Sequence, residues 1–475
     1  MRRDSAILTI LFLFITFFPS GNRYFLLFST KKGDYVTCYT ETLTNRLNWI
    51  SKFKMVEVGG VDDPPSIREI EKLKESGVED ILFYDWFPAG YHYIDGEEDN
   101  LLMSWVFSNR SFASLNPEGP FPHCKEEGYS WCEDCYFDFG FKGVIEKKIN
   151  FLASFKKEFG YDGVFFDWAS GRFIEEEEYG PIRETFNIRH PDKTYPDSVG
   201  EFYQTLRERA DDMIIVTNQG FRNKNNVLRW VDYDMTESYG TDYGYFGKVL
   251  YVEGMGFVEI PQTIYYPVSE SVITGSLKDT LYYLDFLNSL RAKFEEPFKN
   301  FICMNYAAPD FIPLERKNGI TVYKPKIPKN AIFFGYALSK LYNFISYTEV
   351  PFDNSLEENN IYFYDLGKPL GEGYENIDGG YIRYYTNGFV VVGEWQSEVS
   401  LSLNSPYIKE GVPVYDLFNK RWAGMTKNHA ITIHISPVRD ELTGRMVPSG
   451  RVYLYPSFTF IPRVLLPMKF KNSIS

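Results

Sequence analysis

From about residue 55 onward, short apolar runs alternate with longer segments whose apolar residues recur every three or four positions, the pattern of strands and helices in βα units. "KMVEVGG" (54–60) reads as a strand. "PPSIREIEKLKESG" follows with Ile67, Ile70 and Leu73 on one helical face and a glycine stop, and "EDILFYDW" (79–86) reads as the next strand. Further strands are predicted at "LLMSWVF" (101–107), "YDGVFFDW" (161–168), "DMIIVTNQG" (212–220), "DYDMTESYG" (232–240), "QTIYYPVS" (262–269) and "NFICMNYAAP" (300–309). Helices are predicted over 141–160, 199–210, 277–294 and 331–344. Eight strands with helices between them predict an α/β fold, a (β/α)8 TIM barrel placed over 29–365.

The period changes after residue 365. "GGYIRYYTNGFVVVGEW" (379–395) is two alternating runs around an Asn-Gly turn, the signature of a hairpin. The runs "VSLSLNS", "PVYDLF", "HAITIHI" and "RVYLYP" follow with turn residues between them. An antiparallel β-sandwich domain is therefore expected over 366–475, near the usual size of such a module.

The N-terminus carries two arginines, an apolar run from Ala6 to Phe18 and then Pro-Ser-Gly. That length suits a signal peptide and is short for a membrane span; "YFLLF" soon after keeps an uncleaved anchor open, so 1–28 is read as either. A secreted or cell-surface protein is expected. The formal charge of −14, with no basic tract, argues against a nucleic-acid partner, and none is expected. The chain's 36 Tyr, 41 Phe and 8 Trp fill a large core and supply side chains that suit sugar binding.

Strands of a parallel barrel are buried on both sides and end at the catalytic face. "GVFFDW" fits that rule: the apolar run is the fourth strand and Asp167 is where it surfaces. The sixth strand ends likewise in Glu237, so the two carboxyl groups are expected to face each other across the barrel mouth. Glycoside hydrolysis needs such a pair, one group protonating the leaving oxygen while the other attacks or activates water. Asp85, Asn218, Gln219 and Asn305 offer hydrogen-bonding groups at strand ends, and Trp86, Tyr91, Trp168, Tyr239 and Tyr306 offer aromatic faces; these nine are the expected substrate contacts. An acidic residue at a strand end also serves as a helix cap or turn residue.

The segment "GYDGVFFDW" (160–168), the upstream "SGVEDILFYDWFPAG" and the terminal sandwich resemble the glycosidases related to the endo-α-1,4-polygalactosaminidase family. The resemblance implies a (β/α)8 barrel and makes Asp167 a catalytic or neighbouring carboxylate; Glu237 comes from strand counting alone. The similar α-amylase signature places arginine two residues before its aspartate, where this chain has Phe165. A poly- or oligosaccharide is thus the expected partner, with no cofactor and no catalytic metal called for. The alternative is a non-catalytic glycan-binding or cell-surface protein on the same barrel.

Cys124, Cys132 and Cys135, with His123, have spacing that suits either a Cys3His zinc site or, in an exported protein, a disulfide within one loop.

Overall fold

The computed structural model describes residues 14–17, 23–38, 40–61, 63–93, 131–223, 226–237, 239, 249–252, 256–259, 277–306, 310–317, 320–326, 329–349, 357–439 and 446–460. Two compact units emerge, Lys32–Tyr362 and Met1–Lys31 with Phe363–Ser475.

Eight parallel strands form the first unit's sheet: β1 (Gly33–Cys38), β2 (Phe53–Gly60), β3 (Asp80–Trp86), β4 (Gly163–Asp167), β5 (Ile214–Asn218), β6 (Tyr233–Glu237), β7 (Asn300–Tyr306) and β8 (Ile345–Glu349). Each is hydrogen-bonded to its successor, in the order of the chain. No backbone ladder joins β8 to β1; side chains bridge that seam, with Thr37 Oγ1 donating to Glu349 Oε2 at 3.1 Å and to Tyr347 Oη at 3.3 Å. The sheet is a nearly closed TIM barrel.

Helices α1 (Thr40–Ile50), α2 (Ile67–Glu75), α3 (Lys142–Phe159), α4 (Gly180–Arg189), α5 (Tyr195–Arg209), α6 (Leu277–Lys293) and α7 (Lys329–Leu341) lie along the chain between strands. Local signals set their ends. Ser66 and Glu69 form a capping box before α2, whose Ile70 and Leu73 are buried, and α3 stops at Gly160 with φ of 81°.

Two of the barrel's strands differ from the sequence reading. β3 pairs directly with β4 and β6 with β7, and the segments 101–107 and 262–269 lie outside the described residues. The first and eighth strands are instead "GDYVTC" and "ISYTE". "GDYVTC" precedes the point where the alternation becomes regular. "ISYTE" directly follows the apolar helix predicted over 331–344 with no turn residue to mark a strand; Asn343, with φ of 57°, makes the break. Residues 300–306 are consequently the seventh strand.

The second unit holds a six-stranded antiparallel sheet in the order 375–377, 380–385, 388–393, 449–454, 413–416 and 421–425, and a pair of strands, Val399–Asn404 and Ala430–Ile435. Ile382, Phe389, Val391, Trp395, Leu401, Ile433 and Tyr453 form the core between them, so this unit is the expected β-sandwich. Short strands Phe14–Phe17 and Arg23–Leu27 pair with each other, and the latter with Ser457–Phe460. Among the described residues no helix is long and apolar enough to cross a membrane.

Candidate active site

Strand pleating decides which side chains enter the barrel mouth. Successive residues point to opposite faces, one into the barrel and the next towards the helices. On β3, Tyr84 reaches the mouth: its hydroxyl donates to Asp167 Oδ2 at 2.8 Å. Asn218 at the end of β5 donates from Nδ2 to Asp167 Oδ1 at 2.8 Å, and the backbone N–H of Trp168 donates to the same oxygen at 2.8 Å. Three donors thus converge on Asp167, fixing its rotamer from three sides.

Glu237, at the end of β6, accepts from Tyr306 Oη at 3.4 Å. Burial, and next the charge of Asp167, push its carboxyl up to about 7, against the opposing hydrogen bonds from Asn218 and Tyr306. The Asn218 carboxamide thus bonds Asp167 directly and lies close enough to Glu237 to oppose the rise of its carboxyl. The result is a pair in which Glu237 holds a proton near neutrality beside a carboxyl group that accepts every hydrogen bond it makes.

The mouth contains two further carboxyl groups that sequence reasoning missed. Glu57 on β2 accepts a hydrogen bond from Tyr35 Oη, and Glu349 on β8 from Tyr347 Oη. Burial pushes Glu57 up to about 8, helped by the charges of Asp167, Glu237 and Glu349 and opposed by Tyr35. These four acids come from β2, β4, β6 and β8, the alternate strands whose side chains share one layer of a TIM barrel. A glutamate in the middle of the apolar run "KMVEVGG" was the available signal for Glu57. Glu349 was hidden because its strand, Ile345–Glu349, follows the helix predicted over 331–344 with no turn signal and was not read as a strand.

A folded-state pKa above the unfolded value means the native protein binds the extra proton, so stability is fullest at low pH and falls as pH rises through the folded value. Glu57 charges in the unfolded chain near its ordinary 4.5 and in the barrel only near 8. Glu57→Gln is therefore expected to stabilise the fold at pH 8 by an amount on the order of several kcal/mol, raising the unfolding midpoint there, and to change it little at pH 5. Thermal unfolding of both proteins at the two pH values checks this; an equal shift at both refutes it.

The other expected contacts divide. Trp86 pairs in register with Asp167 and is half-buried. Trp168 follows Asp167 with φ of 53° and leaves 39% of its surface exposed, so its ring stands at the rim. Gln219 also has a positive φ, 55°, and its Oε1 accepts from Arg222 Nη1 at 3.4 Å. Non-glycine residues with this backbone are uncommon, and here two of them form the turns directly after β4 and β5. Tyr306 meets Glu237 as described.

Three contacts are drawn away from the pair. Asp85, between the inward Tyr84 and Trp86, is 6% exposed and forms a 2.8 Å ion pair with buried Lys148 of α3. Tyr239 donates to the backbone oxygen of Gly335 in α7 at 2.6 Å. Asn305 is fully buried against that same glycine, where a Cβ would lie 2.4 Å from its Nδ2. Pleat parity sends Asp85 and Asn305 outward. Tyr91 lies on a described strand, Ala89–Tyr93, but its side chain, like Cys124 and the side chains of Cys132 and Cys135, lies outside the described residues.

Removing one partner of a buried ion pair strands the other's charge, at a cost of about 3–5 kcal/mol. Lys148→Met should lower stability by that order in urea unfolding at pH 7. A loss below about 1 kcal/mol would show that Asp85 is solvated or protonated instead.

A separate cavity of about 670 Å³ opens beside the segments that follow β4 and β5, lined among others by Arg172, Arg183, Tyr195, Arg222 and Phe286. None of the expected site residues lines it.

No protein-family model matches the chain, and no curated protein matches it. Among solved structures, the glycoside hydrolase domain of PelA from Pseudomonas aeruginosa is similar at 13% identity and a TM-score of 0.36, over 68% of this chain and 96% of that one. A maltogenic α-amylase, AmyB from Thermotoga neapolitana, is similar at 12% identity and a TM-score of 0.45, over 89% and 99%. An α-amylase from Geobacillus thermoleovorans solved with acarbose is similar at 9% identity and a TM-score of 0.44, over 90% and 99%. These structures are all of glycoside hydrolases, and likenesses of this degree carry no argument about this chain's substrate or mechanism.

Proposed function

We propose that the chain is a glycoside hydrolase that cleaves O-glycosidic bonds of a poly- or oligosaccharide with Glu237 as proton donor and Asp167 as nucleophile. The observation that carries the reading is the placing of Asp167, Asn218 and Glu237 at the ends of β4, β5 and β6, where burial and Asp167 push the Glu237 carboxyl up to about 7. Glu237 gives its proton to the leaving oxygen as the bond from that oxygen to the anomeric carbon breaks. An Asp167 oxygen bonds to the same carbon, forming a glycosyl ester. The ionised Glu237 then takes a proton from water, whose oxygen displaces Asp167.

The nearness of the two acids supports this retaining route. Asn218 and the charge of Asp167 both act on the Glu237 carboxyl, which fits the short separation of roughly 5 Å that retaining enzymes need, against 6.5–9.5 Å when water must fit between. Trp86 and Trp168 supply ring faces for the sugar, and Gln219 a polar contact. The N-terminal apolar run supports export, so a glycan outside the cell is the proposed substrate. The relation to the endo-α-1,4-polygalactosaminidase relatives rests on "GYDGVFFDW" and is proposed at that level only. The test is a polysaccharide digestion panel read by new reducing ends, run with wild type and Asp167→Asn. Reducing ends from wild type alone support the reading. Their absence from every polysaccharide leaves the non-catalytic glycan-binding role.

A further inference from the structure

The sandwich unit has a cavity of about 540 Å³, within the range of small-ligand sites, whose lining includes Glu398, Ser400, Arg421, Trp422, His434 and Ser436. Trp422 lies on Arg421–Met425, the last strand in the order of the six-stranded sheet. Its surface is 42% exposed, and an edge-on contact with Tyr415, ring centroids 5.2 Å apart, braces the indole. The exposed indole offers an apolar ring face with a polar edge at the mouth of the cavity.

The polar groups around it form a set suited to hydroxyls. Ser400 and His434 are directly paired across Val399–Asn404 and Ala430–Ile435, and Ser400 Oγ lies 2.8 Å from His434 Nδ1. His434 Nε2 has no partner among the described residues. Ser436 Oγ donates to Glu398 Oε1 at 3.2 Å, which leaves acceptor capacity on that carboxylate. Asp416, also in the lining, is 2% exposed and occupied by Asn419, whose backbone N–H and Nδ2 donate to it at 3.0 and 2.7 Å. The charged groups of the lining are two carboxylates, Glu398 and Asp416, and one guanidinium, Arg421. The surplus carboxylate disfavours a phosphate, the guanidinium a polycation, and the mixture suits a neutral ligand with many hydroxyls and an apolar ring face.

We infer that this cavity is a second carbohydrate-binding site, in which Trp422 stacks on a neutral pyranose ring while Glu398, Ser400, Arg421 and His434 hydrogen-bond its hydroxyls. The site does not require the barrel to be catalytic. It would hold the protein on a polysaccharide whatever the barrel does to it.

Gel retardation of the full chain carrying Asp167→Asn, in native gels cast with hydroxyethylcellulose, soluble starch, glycol chitin or galactomannan, tests the inference. At least one polymer should slow the protein. Adding Trp422→Ala should weaken that retardation at least tenfold in polymer concentration, His434→Ala several-fold, and Trp422→Phe less than Trp422→Ala. Trp422 is partly exposed, so circular dichroism and the unfolding midpoint should report an intact fold. No retardation by any of the four polymers, or equal retardation of Trp422→Ala and its parent, overturns the inference. Because the parent is chosen to lack turnover, failure here leaves the hydrolase reading standing, and an inactive wild type leaves this one standing.

Discussion

Asp167→Asn is expected to lower kcat by about four orders of magnitude on whichever glycan the wild type cleaves, a loss of about 5 kcal/mol of transition-state stabilisation. The amide keeps the shape of the side chain. It has one acceptor oxygen where the carboxylate has two, so it cannot receive Tyr84, Asn218 and the Trp168 N–H as Asp167 does. It also lacks the negative charge that bonds to the anomeric carbon, or steadies it, as the leaving group departs. KM should move far less than kcat, because the proposed sugar contacts Trp86 and Trp168 are unchanged. The measurement is reducing-end release together with the anomer of the first product by NMR. Retained anomeric configuration fits Asp167 as nucleophile; inversion would reassign it as the base that activates water. Full turnover by Asp167→Asn would remove it from the mechanism altogether.

Glu237→Gln should cost about two to four orders of magnitude with a sugar leaving group and much less with a nitrophenyl glycoside, whose leaving oxygen needs little protonation. Its pH signature is separable from a structural defect. As the proposed proton donor Glu237 would act only while it holds its proton, and its carboxyl is pushed up to about 7 by burial and by Asp167. The wild-type rate should therefore be fullest below about pH 7 and fall about tenfold per pH unit above it. Glu237→Gln should lose that alkaline fall, since the amide has no proton to release. A variant that keeps the same alkaline limb would mean that another group is the acid; Glu57, pushed up to about 8, would be the next to test.

The residues around this pair show how far a one-dimensional pattern reaches. A strand buried on both faces is a continuous apolar run, so "VFFD" and "DILFYDW" announced barrel strands, and the first polar residue after "VFF" marked the rim. That same continuity hides parity. Nothing in "FYDW" says whether the tyrosine or the aspartate points inward, and the structure gives Tyr84 to Asp167 and Asp85 to Lys148. Asn305 and Tyr306 divide in the same way, one against Gly335 and the other on Glu237.

By itself, then, the order of apolar runs and punctuating residues determined a (β/α)8 barrel followed by a sandwich, and placed Asp167 and Glu237 at strand ends, because burial on two faces and exposure at the rim leave direct marks on composition. Only the tertiary structure decided which neighbours those acids have. The register between strands sets the face each side chain takes, and a shift of one residue would exchange the two faces. It is that register, summed around eight strands, that brings Glu57 and Glu349 into the mouth and turns Asp85 and Asn305 out of it.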